Sequence, residues 1–365
     1  MMVITDRRLM FNFDWIMFLS LLSLSAAGIV AIWSTTGEVG LHSYFGRQIL
    51  YLGIGLAVFF ALLKLDYHLF SDYITFIYIS GIVSLILVLF FGRSVSGNKS
   101  WIDIGVLSFQ PSELMKIIVI IALARYYAEL ELECLGFKEL LIGGMIVFVP
   151  TLLVVLQGDL GTALMFLPVY AVLSCLAGIR RKHVLAMLII VVAAAPIAWF
   201  LMHGYQKDRI QTAFNPANDP HRVGYQTIQS AIAIGSGQFL GKGFRQGTQG
   251  HLGFLPARHT DFVFAVLAEE KGFLGGITIL GLFMLVIMRL YRAACEAKDT
   301  IGAMIVSGIL SLLLVHITVN LGMVLGLLPV VGIPLPFVSA GGSSLVSYYI
   351  GMGLCMGIRM RRYFN

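Results

Sequence analysis

Apolar residues do not alternate with polar ones along this chain; they run together in long blocks. A membrane-crossing helix needs about 20 apolar residues, and runs of that order recur from end to end. They cover 15–33, 48–63, 74–91, 112–127, 140–156, 160–177, 184–202, 262–291, 303–327 and 343–358. The pattern predicts an all-α polytopic membrane protein, one integral domain over 1–365 with about ten transmembrane helices. Two runs, 262–291 and 303–327, exceed a perpendicular crossing, so they tilt or project.

An even number of crossings puts both termini on one side, and the basic residues choose which. One face collects Arg7, Arg8, Lys64, Arg125, Lys138, Arg180, Arg181, Lys182, Arg289, Arg292, Lys298, Arg359, Arg361 and Arg362. The short loops of the other face hold only Arg47, Arg93 and Lys99. The basic face is cytoplasmic, and both termini with it. One connection, 203–260, is far longer than the rest and lies outside, between helices 7 and 8. Asn215-Pro216 and Asp219-Pro220 are turn signals within it. Its stretch 225–240 is mildly apolar and small-sided, which fits either a short interfacial helix or a loop segment packed on the bundle.

Composition closes off other classes. The chain is 58% apolar and only 12% charged, with mean hydropathy +0.90. A soluble domain carries about a quarter charged residues, so a soluble globule and a disordered chain are both excluded. The net charge of +6 follows from basic loops at a membrane surface and does not call for nucleic acid. Cys134, Cys175, Cys295 and Cys355 show no metal spacing and no CxxC pair, so no disulfide framework is expected. The first apolar run is long and has no small-residue cleavage site after it, so no cleavable signal is expected.

Charges inside a membrane are costly, so their placement is informative. Asp103, Glu113, Asp159 and Asp261 fall at exterior helix ends, and Glu269 and Glu270 lie two turns into the eighth run. Arg47, Lys116, Lys207, Arg209, Lys242, Arg245 and Arg258 accompany them. This concentration predicts a polar cavity open to the outside, in preference to ordinary interfacial pairs.

Within it, Glu113 and Lys116 are spaced i,i+3 and share a helix face, as an acid–base pair of the cavity wall or as a structural ion pair. Pro111 suits the first turn, with Ser112 as a cap. Asp159, in QGDLGTAL, reads first as the cap of the next helix. Asp261, in FLPARHTDF, meets both water and substrate. It reads equally as a general base or as a helix cap with Thr260 as competitor. Arg258 and His259 beside it would pair with it or bind a phosphate; no HxxxH accompanies His259 to make it a metal ligand. His316 and Asn320, four apart, predict buried inter-helix hydrogen bonds. The segment 328–345 holds Pro329, Pro334 and Pro336, so it cannot be one helix and reads as an irregular element lining the outer cavity. No Walker loop, Rossmann fingerprint, HExxH or GxSxG occurs, which argues against nucleotide-driven pumping.

Five blocks carry a resemblance: WIDIGVLSFQPSELMKI at 101–117, QGDLGTAL at 157–164, IAIGSGQFLGKGFRQGTQ at 232–249, FLPARHTDFVFAVLAEE at 254–270 and LPVVGIPLPFVSAGGSSL at 328–345. Together, in order over nearly the whole chain, they resemble the SEDS family (shape, elongation, division and sporulation) of bacterial cell-wall proteins. The compact N-terminus and the GTQ ahead of the FLP block look most like the elongation branch.

The resemblance implies a peptidoglycan glycosyltransferase of the plasma membrane that polymerises lipid II on the outer face. The implied partners are a class B penicillin-binding protein that crosslinks the product and other elongation-complex proteins. The family's essential acid falls on Asp261, its PSExxK pair on Glu113 and Lys116, and its QxDLG acid on Asp159. Arg47, Lys242, Arg258 and His259 are the supporting or substrate-binding candidates. The family often has Glu where this chain has Ala257, which puts a role for an acid there in doubt. Beyond the option of a divalent cation (magnesium or manganese) on the departing diphosphate, no cofactor follows, and no metal ligand is assigned. A lipid II flippase, for which Glu269, Glu270 and Lys271 speak, a division-specific paralogue and a pure scaffold are the alternatives.

Overall fold

The apolar runs fold as helices. The computed structural model describes residues 12–362, apart from 38–39, 41, 96–97, 106, 131–133, 202–203, 205–206, 209–210 and 213–222. Arg7, Arg8, Arg209 and the turn signals at Asn215-Pro216 and Asp219-Pro220 lie outside the described residues. In chain order the helices are α1 (Trp15–Thr36), α2 (Tyr44–Lys64), α3 (Tyr67–Asp72), α4 (Ile74–Phe91), α5 (Pro111–Glu129) and α6 (Phe137–Leu156). They continue with α7 (Leu160–Leu164), α8 (Phe166–Leu176), α9 (Arg181–Leu201), α10 (Val223–Ser236), α11 (Thr248–His251), α12 (Val263–Cys295), α13 (Thr300–Val324) and α14 (Gly342–Met360). Among the described residues, six helices are long and apolar enough to cross a membrane: α1, α2, α4, α6, α12 and α13. The run at 160–177 is divided into α7 and α8. α5 and α14 are long, but charges dilute the first, and Gly and Ser the second.

Those two helices form the centre. Nearly every residue of α14, and most of α5, is buried, as expected for helices covered on all sides by others. α14 packs on α2, α12 on α1 and α13, and α13 also on α5 and α8. The periphery is the reverse: Phe76, Phe90 and Phe91 of α4 are 75%, 74% and 83% exposed. Such a surface suits hydrocarbon and would be a liability in water.

The all-α expectation needs one correction. Between α4 and α5 lies a three-stranded antiparallel sheet of β1 (Arg93–Val95), β2 (Asn98–Ile104) and β3 (Leu107–Phe109). Its basis is the alternation in WIDIGVLSF, with Gly105 at φ +63° making the turn. Asp103 pairs with Arg93 at 2.8 Å and accepts from Ser108 Oγ at 2.8 Å. That outer acid belongs to the hairpin.

The other end of the bundle is cross-tied. Asp14 caps α1 and pairs with Arg289 of α12 and Arg359 of α14, at 2.7 and 2.9 Å. Asp299 caps α13 and accepts from the Tyr67 hydroxyl at 2.8 Å, while His68 bridges Asp66 and Asp299, each at 2.8 Å.

α12 is two helices joined at Gly272, whose φ of 64° and ψ of −160° no helix contains. A broken helix leaves carbonyls and N–H groups without partners. Here the strap at 237–243 supplies both. Lys242 and Gly243 donate their N–H groups to the carbonyls of Glu269 and Glu270, while Phe273 and Leu274 donate to those of Gln238 and Phe239. A side chain at 272 would strike the Gly241 nitrogen at 2.3 Å, so glycine is required.

Candidate active site

Asp261 lies in a series of turns ahead of α12. The carbonyl of Ala257 is their hub. It accepts from the N–H groups of Thr260 (3.1 Å), Asp261 (3.1 Å) and Phe262 (3.3 Å), and from Thr260 Oγ1 (3.2 Å). Ala257 itself takes φ 49°. The helix begins at Val263 with Phe262 as its N-cap and no side-chain cap bond. Phe262, and neither Thr260 nor Asp261, therefore occupies the N-cap position. The half-buried Asp261 carboxylate instead faces Gly332, where an added Cβ would come within 3.6 Å of Oδ2.

Gly332, at φ +73°, belongs to the irregular stretch ahead of α14, which the prolines demanded. Three contacts lock this stretch to its surroundings. Asn320 of α13 donates from Nδ2 to the carbonyls of Asp261 (2.9 Å) and Ile333 (2.7 Å). The N–H of Ala340 donates to His259 O at 2.8 Å, and Gln48 Nε2 to Ser339 O at 3.1 Å.

His259 packs against Tyr44 with ring centroids 4.0 Å apart and planes tilted by 43°, and the Arg47 guanidinium lies 4.8 Å from the Tyr44 ring centre. Burial, then the charges of Arg258 and Arg47, hold the His259 imidazole below its ordinary pKa. The cationic form of His259 is thereby disfavoured, and Arg47 and Arg258 are the cations beside it. Arg47 Nε is buried without a hydrogen-bond partner. Arg258 Nη1 donates to the carbonyl of Gly250. Tyr44 and Gly332 were not singled out from sequence; the only available signal was a glycine amid apolar residues and prolines.

Glu113 and Lys116 do pair, at 2.8 Å and with exposures of 4% and 2%. Lys116 also contacts His316 Nε2 at 3.2 Å. An ammonium only donates, so Nε2 accepts and the other ring nitrogen, Nδ1, donates to Leu312 O at 2.9 Å. The hydroxyl of Ser112 is buried without a partner and caps nothing; the N-cap is Gln110. Asp159 caps α7, accepting from Thr162 N and Oγ1, and also accepts from Gln110 Nε2 at 2.7 Å. The capping reading holds.

Lys242 does not reach this cluster through any bond described here. It pairs with Glu269 at 2.8 Å. Glu269, fully buried, also accepts from the backbone of Gln249 and Gly250 and from Thr248 Oγ1, so it anchors the strap. Glu270 accepts from Ser34. Sequence reasoning placed both acids near the cavity but not their partners: those of Glu269 lie on a loop folding back, and that of Glu270 is Ser34 of α1. An apolar groove of about 560 Å³ between α8, α12 and α13, lined by Pro168, Val172 and Leu314 among others, is separate from the Asp261 loop.

A family model described as cell cycle protein, covering FtsW, RodA and SpoVE, matches residues 7–363. The peptidoglycan glycosyltransferase MrdB of Escherichia coli is 39% identical over 353 residues, covering 96% of this chain and 94% of its own. The peptidoglycan glycosyltransferase RodA of Treponema pallidum is 32% identical over 427 residues, covering 96% and 98%. A solved chain from a peptidoglycan synthase complex that coordinates polymerization and crosslinking superposes with TM-score 0.84 and 30% identity, over 97% of this chain and 99% of that one.

Proposed function

The chain belongs to the FtsW, RodA and SpoVE family of cell cycle proteins, and we propose that it is a peptidoglycan glycosyltransferase polymerising lipid II on the outer face of the plasma membrane during elongation. Relatives named for that activity support the reaction class. In the proposed topology ten helical segments cross the bilayer, both termini are cytoplasmic and the strap and Asp261 lie outside. The charge asymmetry of the loops supports this orientation.

One observation carries the reading at residue level: Asp261 lies ahead of the N-cap of α12, and its carboxylate faces the irregular backbone at Gly332. The acceptor 4-hydroxyl is a poor nucleophile. Asp261 takes its proton as the oxygen attacks the anomeric carbon of the donor. The anomeric carbon–oxygen bond breaks, and undecaprenyl diphosphate leaves with the electron pair. Arg47 and Arg258 supply positive charge to that leaving group. An α-linked donor then gives a β-linked product by direct inversion, with no covalent enzyme intermediate. The pair of Glu113 and Lys116 supports the wall beneath, and Asp159 shapes it by capping α7.

Among the described residues, no three His, Cys, Asp or Glu side chains are grouped to hold a metal ion. The described residues do not by themselves form a magnesium or manganese site. A class B penicillin-binding protein is the proposed membrane partner, supported by the similarity to a chain of a synthase complex. The flippase alternative loses support because Glu269 and Glu270 are engaged by the strap and by Ser34.

The test uses the purified chain with its class B partner, labelled lipid II and a gel for glycan strands. Asp261→Asn should cut polymerisation by about 10²–10⁴-fold while leaving folding intact. Strands made at near wild-type rate would overturn the general-base assignment.

A further inference from the structure

A base must be held to within about half an ångström of its working position, and loops hold side chains less well than helices do. Asp261 is on a loop. We propose that Asn320 is the positioning residue for Asp261. The inference rests on the reading of Asp261 as the base.

Asn320 is fully buried, one turn before the end of α13. A carboxamide has two N–H donors. One goes to the carbonyl of Asp261 itself, at 2.9 Å, and the other to that of Ile333, at 2.7 Å. Ile333 follows Gly332, the residue that the Asp261 carboxylate faces. A single side chain thus sets both the main chain bearing the carboxylate and the wall opposite it. Neither carbonyl belongs to a helix, so each would otherwise need another partner. Oδ1 has no hydrogen-bond partner. The amide is oriented by its two donors alone, and the reverse orientation would set oxygen against oxygen.

α13 is itself fixed in rotation. One turn below, His316 accepts from Lys116, which is paired with Glu113 of α5. A continuous mechanical path therefore runs from the buried ion pair through one face of α13 to the loop of Asp261. The bond from Ala340 N to His259 O closes the same two segments from the other side. Misplacing a reacting group by about 1 Å costs on the order of 10²-fold in rate, so losing the clamp should appear in turnover.

The experiment compares Asn320→Leu, Asn320→Ser and Asp261→Asn as full-length chains with the class B partner. It measures kcat, KM and the pH profile of kcat on labelled lipid II, together with thermal melting. Asn320→Leu, similar in size but without donors, should lower kcat by about 10- to 100-fold with KM within about twofold. The midpoint of the acid limb of kcat should move, because the carboxylate's surroundings have changed. Asn320→Ser, which keeps one donor, should fall between. Wild-type kcat in Asn320→Leu, with Asp261→Asn inactive, would overturn the positioning role alone. So would a loss of rate matching the loss of folded protein with an unmoved midpoint. If Asn320→Leu does not fold, wild-type turnover in Asn320→Ser overturns the proposal. An active Asp261→Asn would instead overturn the base assignment, and the positioning role with it.

Discussion

Glu113 and Lys116 should be coupled far more strongly than a surface ion pair. They lie 2.8 Å apart and are almost completely buried. Removing one partner of a buried pair typically costs about 3–5 kcal/mol, because the other charge is left uncompensated in a low dielectric. Lys116→Met belongs at the upper end, since Glu113 Oε2 already has no partner and the carboxylate would lose its ammonium. Glu113→Gln belongs at the lower end, since Lys116 keeps His316 Nε2 as an acceptor at 3.2 Å. Glu113 also sits in the first turn of α5, where a negative charge gains about 0.3–1 kcal/mol from the helix dipole. The double variant contains no buried charge, so it should cost no more than the worse single. The coupling should be about 3 kcal/mol. Reversible unfolding of the four proteins in mixed detergent micelles measures it. Single effects that add to the double within about 0.5 kcal/mol would refute the argument.

Glu269→Gln should release the strap and cost about 1.5–3 kcal/mol for its charge-assisted bonds; limited proteolysis at 238–252 should speed up, and an unchanged cleavage rate would contradict the anchoring. Burial opposes the charged form of His68, but hydrogen bonds to Asp66 and Asp299 prevail and raise its pKa above 6.5. Its contribution to stability should be complete below about pH 6.5 and disappear as pH rises through the raised value. Melting curves across that range should show this slope in the wild type and not in His68→Ala. For orientation, a cysteine placed at Asn218 should react with an impermeant maleimide in intact spheroplasts, in a chain whose exposed Cys134, Cys175 and Cys295 are serine. One at Lys298 should react only after the membrane is opened, and the opposite pattern would reverse the proposed topology.

The helices were legible because a bilayer demands uninterrupted apolar length, and little else produces it. The cap at Asp159 was legible too, because a glycine turn followed by LGTAL leaves few other uses for that carboxylate. Asp261 was not, since TDF ahead of a helix suits a cap as well as a general base. What decides it is the Ala257 carbonyl, which draws the N–H groups of 260–262 into turns and delays the helix to Val263. The hairpin at 93–109 was obscured by its brevity between two apolar runs, although WIDIGVLSF alternates. The commitment of Glu269 could not be read at all. Its partners are 19 to 27 residues away on a returning strap, and sequence spacing carries no record of such a fold-back.

The break at Gly272 has a consequence for how the protein sits in different bilayers. A helix adapts to a thicker or thinner hydrocarbon layer by changing its tilt, and a continuous rod would carry that rotation to its outer end. Here the helical ladder stops at one residue, and the strap is bonded across the break, donating to the carbonyls of Glu269 and Glu270 on one piece and accepting from the N–H groups of Phe273 and Leu274 on the other. A change of tilt in 273–295 would therefore pull on the strap as well as on the short piece that follows the loop of Asp261. Lipid thickness and reactive geometry are thereby linked through the strap, so changing acyl-chain length should alter the lean of 273–295 and the rate of polymerisation together.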